Sequence, residues 1–255
     1  MLSKSKIKLI VQLKQKKYRE INNMFIAEGT INVLDFLQSD APLIDLYATK
    51  DWMQLHQMQI KNLNSTIVTT KELKKISALS TPSDVIGVFS LPDTTFSGNI
   101  DTDNFTIALD NISDPGNLGT IIRTADWFGI RNIYCSNETV DAYNPKVVQA
   151  TMGSLARVKV HYTNLKDLLE SRPDNLPILG AVLNGTRITE LKTQSNGIIL
   201  IGSEAHGISK GLLPFVTQKI TIPSFNSDST NGPESLNASI ATAIICYALK
   251  SGIGE

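Results

Sequence analysis

Three short segments hold the residues whose types and spacing could do chemistry. The first is Asp110-Asn111-Ile112-Ser113-Asp114-Pro115-Gly116-Asn117-Leu118-Gly119-Thr120-Ile121-Ile122-Arg123. Pro fixes φ and Gly accepts positive φ, so Asp-Pro-Gly-Asn reads as a turn. Asn117 is placed to cap the next helix through its side-chain oxygen. Leu118, Ile121, Ile122 and Ala125 give that helix a buried stripe. Arg123 lies off the stripe, near the carboxyl end of the preceding strand, where open α/β sheets bind ligands. A guanidinium there can meet an anion, although on spacing alone a surface ion pair is the commoner role. The second segment is Leu200-Ile201-Gly202-Ser203-Glu204-Ala205-His206-Gly207-Ile208-Ser209. A strand ends at Gly202, which lets backbone approach a ligand, and Glu204 puts an acid in the loop. His206 stands alone, and a lone loop histidine is more often solvated than catalytic. The third runs from Ile220-Thr221-Ile222-Pro223 through a polar loop to Glu234-Ser235-Leu236-Asn237-Ala238-Ser239-Ile240-Ala241. Its small residues allow close approach, which suits tight packing or a dimer interface as well as a ligand.

Other chemistries are excluded by what the chain lacks. There is no G-x-G-x-x-G for a dinucleotide and no Gly-Lys-Ser/Thr for a phosphate loop. Two cysteines, Cys135 and Cys246, make neither a disulfide framework nor a metal cluster, so no metal is expected and a reducing cytoplasm fits. The longest apolar stretch, Ala238 to Leu249, is too short and too interrupted by Ser and Thr to span a bilayer.

The elements that must position these segments follow from periodicity. Buried parallel strands are expected at Phe105–Leu109, Asn132–Cys135, Arg157–His161, Ile178–Leu183, Ile198–Ile201 and Lys219–Ile222. Helices are expected at Leu118–Phe128, Pro145–Met152, Leu165–Leu169 and about Ser235–Lys250. Ahead of them, 1–92 reads as a smaller α/β domain with strand-like runs at Leu43–Ala48, Thr66–Thr69 and Val85–Ser90. Residues 93–104 are poor in large apolar groups and read as a linker, leaving 105–255 as the second domain.

Charge is balanced over the 255 residues, with 24 Lys+Arg and 24 Asp+Glu, and 42% of residues are hydrophobic. That is enough for a core and too neutral for a protein that coats nucleic acid. The balance hides an asymmetry. Lys4, Lys6, Lys8, Lys14, Lys16, Lys17 and Arg19 face one acid, Glu20, in the first twenty residues. Residues 4–17 read as one basic amphipathic helix, either a solvated face or an RNA phosphate-contacting edge.

In this order and at these strand ends, the three segments closely resemble the motifs of the SpoU/TrmH branch of the SPOUT RNA methyltransferases. The resemblance covers about 105–250 and rests on D-P-G-N-L-G-T-I-I-R-T-A-D (Asp114–Asp126), G-S-E-x-x-G-I (Gly202–Ile208) and E-S-L-N-x-S (Glu234–Ser239). Asn144–Val148 and Ala150–Leu155 look like the family's connecting segment. Phe25-Ile26-Ala27-Glu28-Gly29, after the basic helix, is similar to the ribosomal-protein-like RNA-binding domain that many members carry.

The resemblance implies a C-terminal parallel α/β sheet tied in a deep trefoil knot. It implies S-adenosylmethionine held by Leu183, Asn184 and Gly185, by Ile201 and Gly202, and by Ile222 with Leu236. It implies a homodimer through the C-terminal domain and methyl transfer to a ribose 2′-hydroxyl of RNA, with ribosomal RNA favoured over transfer RNA by the N-terminal domain. The family assigns the hydroxyl to Arg123, and Asn117, Glu204, Ser235 and Asn237 match its supporting positions. An arginine of ordinary pKa cannot take a proton at neutral pH, which favours stabilisation of the developing alkoxide. The chain departs from the family in the third motif. Ten residues, Ser224 to Pro233, separate Pro223 from Glu234, more than in relatives, and Ser224 stands where they commonly carry Met. The competing readings are an RNA-binding or assembly protein of the same fold without catalysis, a transfer RNA methyltransferase, and a base methyltransferase.

Overall fold

A computed structural model describes residues 2–252 apart from 97, 99, 192, 193 and 226–233, so most of the expected polar loop 224–233 lies outside the described residues. The chain opens with α1 (Lys4–Gln12), α2 (Lys16–Asn22), β1 (Met24–Glu28), α3 (Thr30–Leu37), β2 (Leu43–Ala48), α4 (Lys50–Leu55), β3 (Ser65–Ile67), α5 (Thr70–Ile76) and β4 (Val85–Ser90). It continues through β5 (Phe105–Leu109), α6 (Pro115–Trp127), β6 (Asn132–Cys135), α7 (Pro145–Thr151), β7 (Lys159–Tyr162) and α8 (Leu165–Glu170). It closes with β8 (Ile178–Arg187), β9 (Gly197–Ile201), β10 (Gln218–Thr221) and α9 (Ala238–Ser251). Two compact units result. One comprises 1–93 with 141–157, the other 94–140 with 158–255. Among the described residues no helix is long and apolar enough to cross a membrane, and no cluster of His, Cys, Asp or Glu could hold a metal ion.

The first unit is built on a four-stranded sheet ordered β1-β4-β2-β3. β4 runs antiparallel to both β1 and β2, and β3 parallel to β2. Phe25, Ile26 and Ala27 are fully buried in β1, and Gly29, at φ 88°, turns the chain into α3. The single helix expected over 4–17 is instead two. Leu13 is buried at the break, and its carbonyl accepts from Arg19 Nη1 at 2.9 Å. That tertiary bond holds the carbonyl in place of a continuing helix. The segment 141–157 packs in this unit. The Tyr143 ring lies 4.7 Å from Phe25, Arg157 pairs with Asp35 at 2.7 Å, and Asp141 pairs with Arg19.

The second unit is built on six parallel strands ordered β10-β8-β9-β5-β6-β7. Every residue of β5 and β9 is buried, as runs apolar but for Thr106 in the middle of a sheet covered on both faces should be. Residues expected in the linker take part here. Thr94 accepts from the Tyr162 amide at 2.9 Å, and the Phe96 ring meets Tyr134 at 5.3 Å. β8 runs past the expected Leu183 to Arg187 because β10 pairs with its far end. Lys219 pairs with Gly180, but the next residue, Ile220, pairs with Thr186, so Ala181–Gly185 bow out of the ladder.

Candidate active site

In an open parallel sheet, ligands bind beyond the carboxyl ends of the strands where the strand order reverses. Here that point lies between β5 and β9. From β5 the chain moves outward through β6 and β7, then returns on the other side of β5 for β8, β9 and β10. The loops after β5 and β9 are the first and second motifs.

The first motif folds differently at its start from the sequence expectation. Asp114, not Asn117, caps α6. Its side chain accepts from the Asn117 amide at 2.8 Å, with Pro115 in the first turn. Proline's fixed φ suits the first helical position, where its missing N–H costs nothing. Asn117 therefore falls inside the first turn with its side chain released from capping, and that side chain joins the three motifs. Its Nδ2 donates to Glu204 Oε1 of the second motif, and its Oδ1 accepts from Asn237 Nδ2 of the third at 2.9 Å.

The partners are themselves held. Glu204 sits in a closed turn in which Ser203 and Gly207 exchange backbone hydrogen bonds of 3.1 and 2.8 Å. Asn237 caps α9, its Oδ1 accepting from the Ser239 and Ile240 amides at 2.9 and 3.4 Å. One amide oxygen thus finishes a helix while the amide nitrogen reaches Asn117. At the strand ends Glu204 and Asn237 are exposed and Asn117 is half-buried.

Arg123 stands six residues further along α6, exposed, on a helix face about 120° away from Asn117. Ser235 is exposed just ahead of α9. Among the described residues neither is joined to the Asn117 network.

The expected cofactor residues lie in the bowed part of β8 (Leu183–Gly185), at the end of β9 (Ile201, Gly202), just after β10 (Ile222) and just ahead of α9 (Leu236). A Cβ on Gly202 would lie 2.0 Å from the Gly207 carbonyl carbon, and one on Gly185 would lie 2.8 Å from the Ile220 nitrogen. Only glycine allows these crossings. Thr221 Oγ1 donates to the Leu183 carbonyl at 3.0 Å. Leu183 and Leu236 leave 68% and 46% of their surface exposed, although both are large and apolar, whereas Ile201 is buried and Ile222 half-buried. Bare backbone beside exposed leucines suits a ligand with both a polar and a flat apolar part.

The seven bases of the N-terminal arm do not act as one surface. Lys4, Lys8, Lys16 and Lys17 are exposed. Lys6 pairs with Asp45 at 3.0 Å, and Lys14 donates to the Ser77 carbonyl at 2.6 Å. Arg19 is buried against Leu13 and Asp141, out of reach of a phosphate. Asp110, at the carboxyl end of β5, is a site residue that motif reading left without a role. Its signal was an acid directly following Phe105–Leu109, a strand apolar but for Thr106.

The model of the SpoU rRNA Methylase family matches residues 104–247, and that of the MRM3-like substrate binding domain matches 4–87. The 23S rRNA (guanosine(2553)-2′-O)-methyltransferase RlmP of Bacillus subtilis is 26% identical over 247 residues, 96% of each chain. Among solved structures, a putative RNA methyltransferase of the TrmH family from Porphyromonas gingivalis is 34% identical, with 98% of each chain covered and a TM-score of 0.83. The AdoMet-bound rRNA methyltransferase from Sinorhizobium meliloti is 27% identical over 98% of this chain and 96% of its own, with a TM-score of 0.85.

Proposed function

This chain belongs to the SpoU rRNA methylase family, and from that membership we propose that it transfers a methyl group from S-adenosylmethionine to a ribose 2′-hydroxyl of ribosomal RNA. The observation that carries the reading is the Asn117 network, which draws the three motif loops to one point at the strand ends. The likeness to the ribosomal RNA methyltransferases of Bacillus subtilis and Sinorhizobium meliloti, over nearly the whole chain, supports the substrate class.

When bound, the cofactor supplies an activated sulfonium methyl. The chain's own residues have to hold it, hold the ribose and manage the hydroxyl's charge. The bowed strand Leu183-Asn184-Gly185, the Ile201-Gly202 turn, and Ile222 with Leu236 offer peptide groups and apolar contacts for holding it. Asn117, Glu204 and Asn237 fix the loops in line with the attacking oxygen. Arg123 is assigned to the alkoxide that develops as the hydroxyl gives up its proton to solvent, and Ser235 to the supporting role it shares with Asn117, Glu204 and Asn237. The bowing of Ala181–Gly185 and the backbone crossing at Gly185 support the family's threaded trefoil knot.

Ile240, Ile244 and Tyr247 lie exposed at one-turn spacing on α9, and Trp127 is 84% exposed at the end of α6, which packs on α9. This stripe supports a homodimer through the second unit. RNA binding is placed in the first unit, at the exposed lysines of the arm. Buried, unpaired Cys135 and Cys246 suit a cytoplasmic setting.

Alkaline hydrolysis mapping of ribosomal RNA tests the reading. A nucleotide should resist cleavage in RNA from cells that contain the protein and be cleaved when the gene is deleted, and methylation by purified protein should restore the resistance. Identical maps with and without the protein would overturn it.

A further inference from the structure

Asp110 lies directly after β5, and its amide donates to the Ile201 carbonyl at 2.9 Å, extending the β5–β9 ladder by one step. Its carboxylate belongs to a residue only 6% exposed, and Oδ2 accepts from the Ser209 amide at 2.7 Å. A buried carboxylate is costly unless bonded, and its bond to an N–H is stronger than that of a neutral acceptor.

What it bonds is the return arm of the Glu204 loop. Between Ile201 and Ser209 the chain makes a closed hairpin. Ser203 and Gly207 exchange both backbone bonds, the His206 amide donates to Ser203 Oγ at 3.2 Å, and Gly207 takes φ 65°. The two arms touch through backbone at Gly202 and Gly207. The hairpin therefore behaves as one stiff piece, with Glu204 at its tip and Ser209 at its exit.

The platform that carries Asp110 is fixed from its other side. Asn111 takes φ 62°, unusual for a residue with a side chain, and its amide donates to Ser136 Oγ at 3.0 Å. The Ile112 amide donates to Thr139 Oγ1 at 3.3 Å, and Thr139 Oγ1 donates to the Leu109 carbonyl at 3.3 Å. The first motif thus grips the second at two places: Asp110 at the exit of the hairpin and Asn117 at its tip.

We propose that Asp110 is a positioning residue for methyl transfer, which sets Glu204 against Asn117 through the Ser203–Ser209 hairpin. The proposal rests on the methyltransferase reading above. A shift of about 1 Å in such a group costs on the order of a hundredfold in rate, which a single buried bond can prevent.

A double-mutant cycle tests it. Single-turnover methylation of ribosomal RNA is measured for Asp110→Ala, Glu204→Ala and the double variant. Asp110→Ala should slow the chemical step on the order of tenfold to a hundredfold and leave KM for RNA within about twofold. Because Asp110 acts through Glu204, the double variant should be slower than the slower single one by no more than about threefold. Asp110→Asn, whose amide oxygen still accepts from Ser209, should recover most of the rate. Losses that multiply in the double variant, or a wild-type rate for Asp110→Ala, would overturn the proposal. Hydrogen exchange separates this from failure of the enzymatic reading. Even if the wild type methylates no ribosomal RNA, Asp110→Ala should raise exchange at the Gly207 and Ser209 amides about tenfold. Unchanged protection there would overturn the proposal. Should Asp110→Ala not melt cooperatively, Asp110→Leu, which cannot accept from the Ser209 amide, is read in its place, and unchanged protection at Ser209 would overturn the proposal.

Discussion

The interior of the first unit and the loop tips of the second use polar side chains in different ways. In the first, polar groups are buried and hold backbone. Arg19 is 2% exposed and serves the Leu13 carbonyl and Asp141. Glu28, also buried, accepts from Ser77 Oγ at 2.6 Å and from the Ala78 amide, while Asn32 donates to the Glu28 carbonyl at 3.0 Å. At the carboxyl ends of the second unit's sheet, half-buried Asn117 bonds exposed Glu204 and Asn237 across three loops. A buried polar group must be satisfied or it destabilises the fold, so its partners mark architecture. Exposed polar pairs contribute little stability, so a network of them drawn from distant loops marks placement for a reaction.

The largest effect that could break this contrast belongs to Arg19. Arg19→Met strands Asp141 and the Leu13 carbonyl and should lower unfolding free energy by about 3–5 kcal/mol, read from urea midpoints. Adding Asp141→Asn should restore part of it. A loss under about 1 kcal/mol would move Arg19 into the class of surface pairs. Asn117→Ala should do the reverse. Methyl transfer falls about a hundredfold while stability moves by less than about 0.5 kcal/mol, as at other surface sites. A stability loss like that of Arg19 would erase the distinction.

Smaller effects sharpen it. Replacing exposed Lys4, Lys8 and Lys17 with Gln should make the salt dependence of RNA binding shallower by about 2 in log–log slope if all three meet phosphates. Lys6→Gln and Lys14→Gln should add less, because Asp45 and the Ser77 carbonyl already engage those side chains. An unchanged slope would return the arm to a solvated face. The smallest effect concerns Glu72, an exposed group with an architectural task. The backbone N–H groups of Thr69 and Leu2, with the Thr69 hydroxyl, lower its carboxyl from 4.5 to about 2. A lowered folded pKa contributes stability above the unfolded value that is lost as pH falls through the folded one. Wild type should therefore exceed Glu72→Gln in stability above pH 4.5, with the gap closing toward pH 2 in denaturant titrations. A gap independent of pH would show that the charge is not what Glu72 contributes.

Much of the fold was legible because it is written locally. β2, β4, β5 and β6 fall on the residues expected of them, since short, mostly apolar runs rich in aliphatic and aromatic side chains have one economical home, a sheet. The illegible parts depend on specific partners rather than on average local preference. The helix break at Leu13 answers to Arg19, six residues on, and the far half of β8 exists through its shifted pairing with β10. The move of 141–157 into the first unit answers to Phe25, Asp35 and Arg19. Asn117 lost the cap to Asp114 because the proline after Asp114 sets the helix start three residues earlier than a cap at Asn117 would.

The site divides along the same line. Residue types and spacing alone specify three loops at strand ends, their glycines, and the amide, acid and guanidinium they carry, because turn chemistry and strand length act within a few residues. That Asn117 is shared between Glu204, 87 residues away, and Asn237, 120 residues away, is a consequence of strand order. Strand order comes from the packing of whole strands and crossovers, which no local preference encodes.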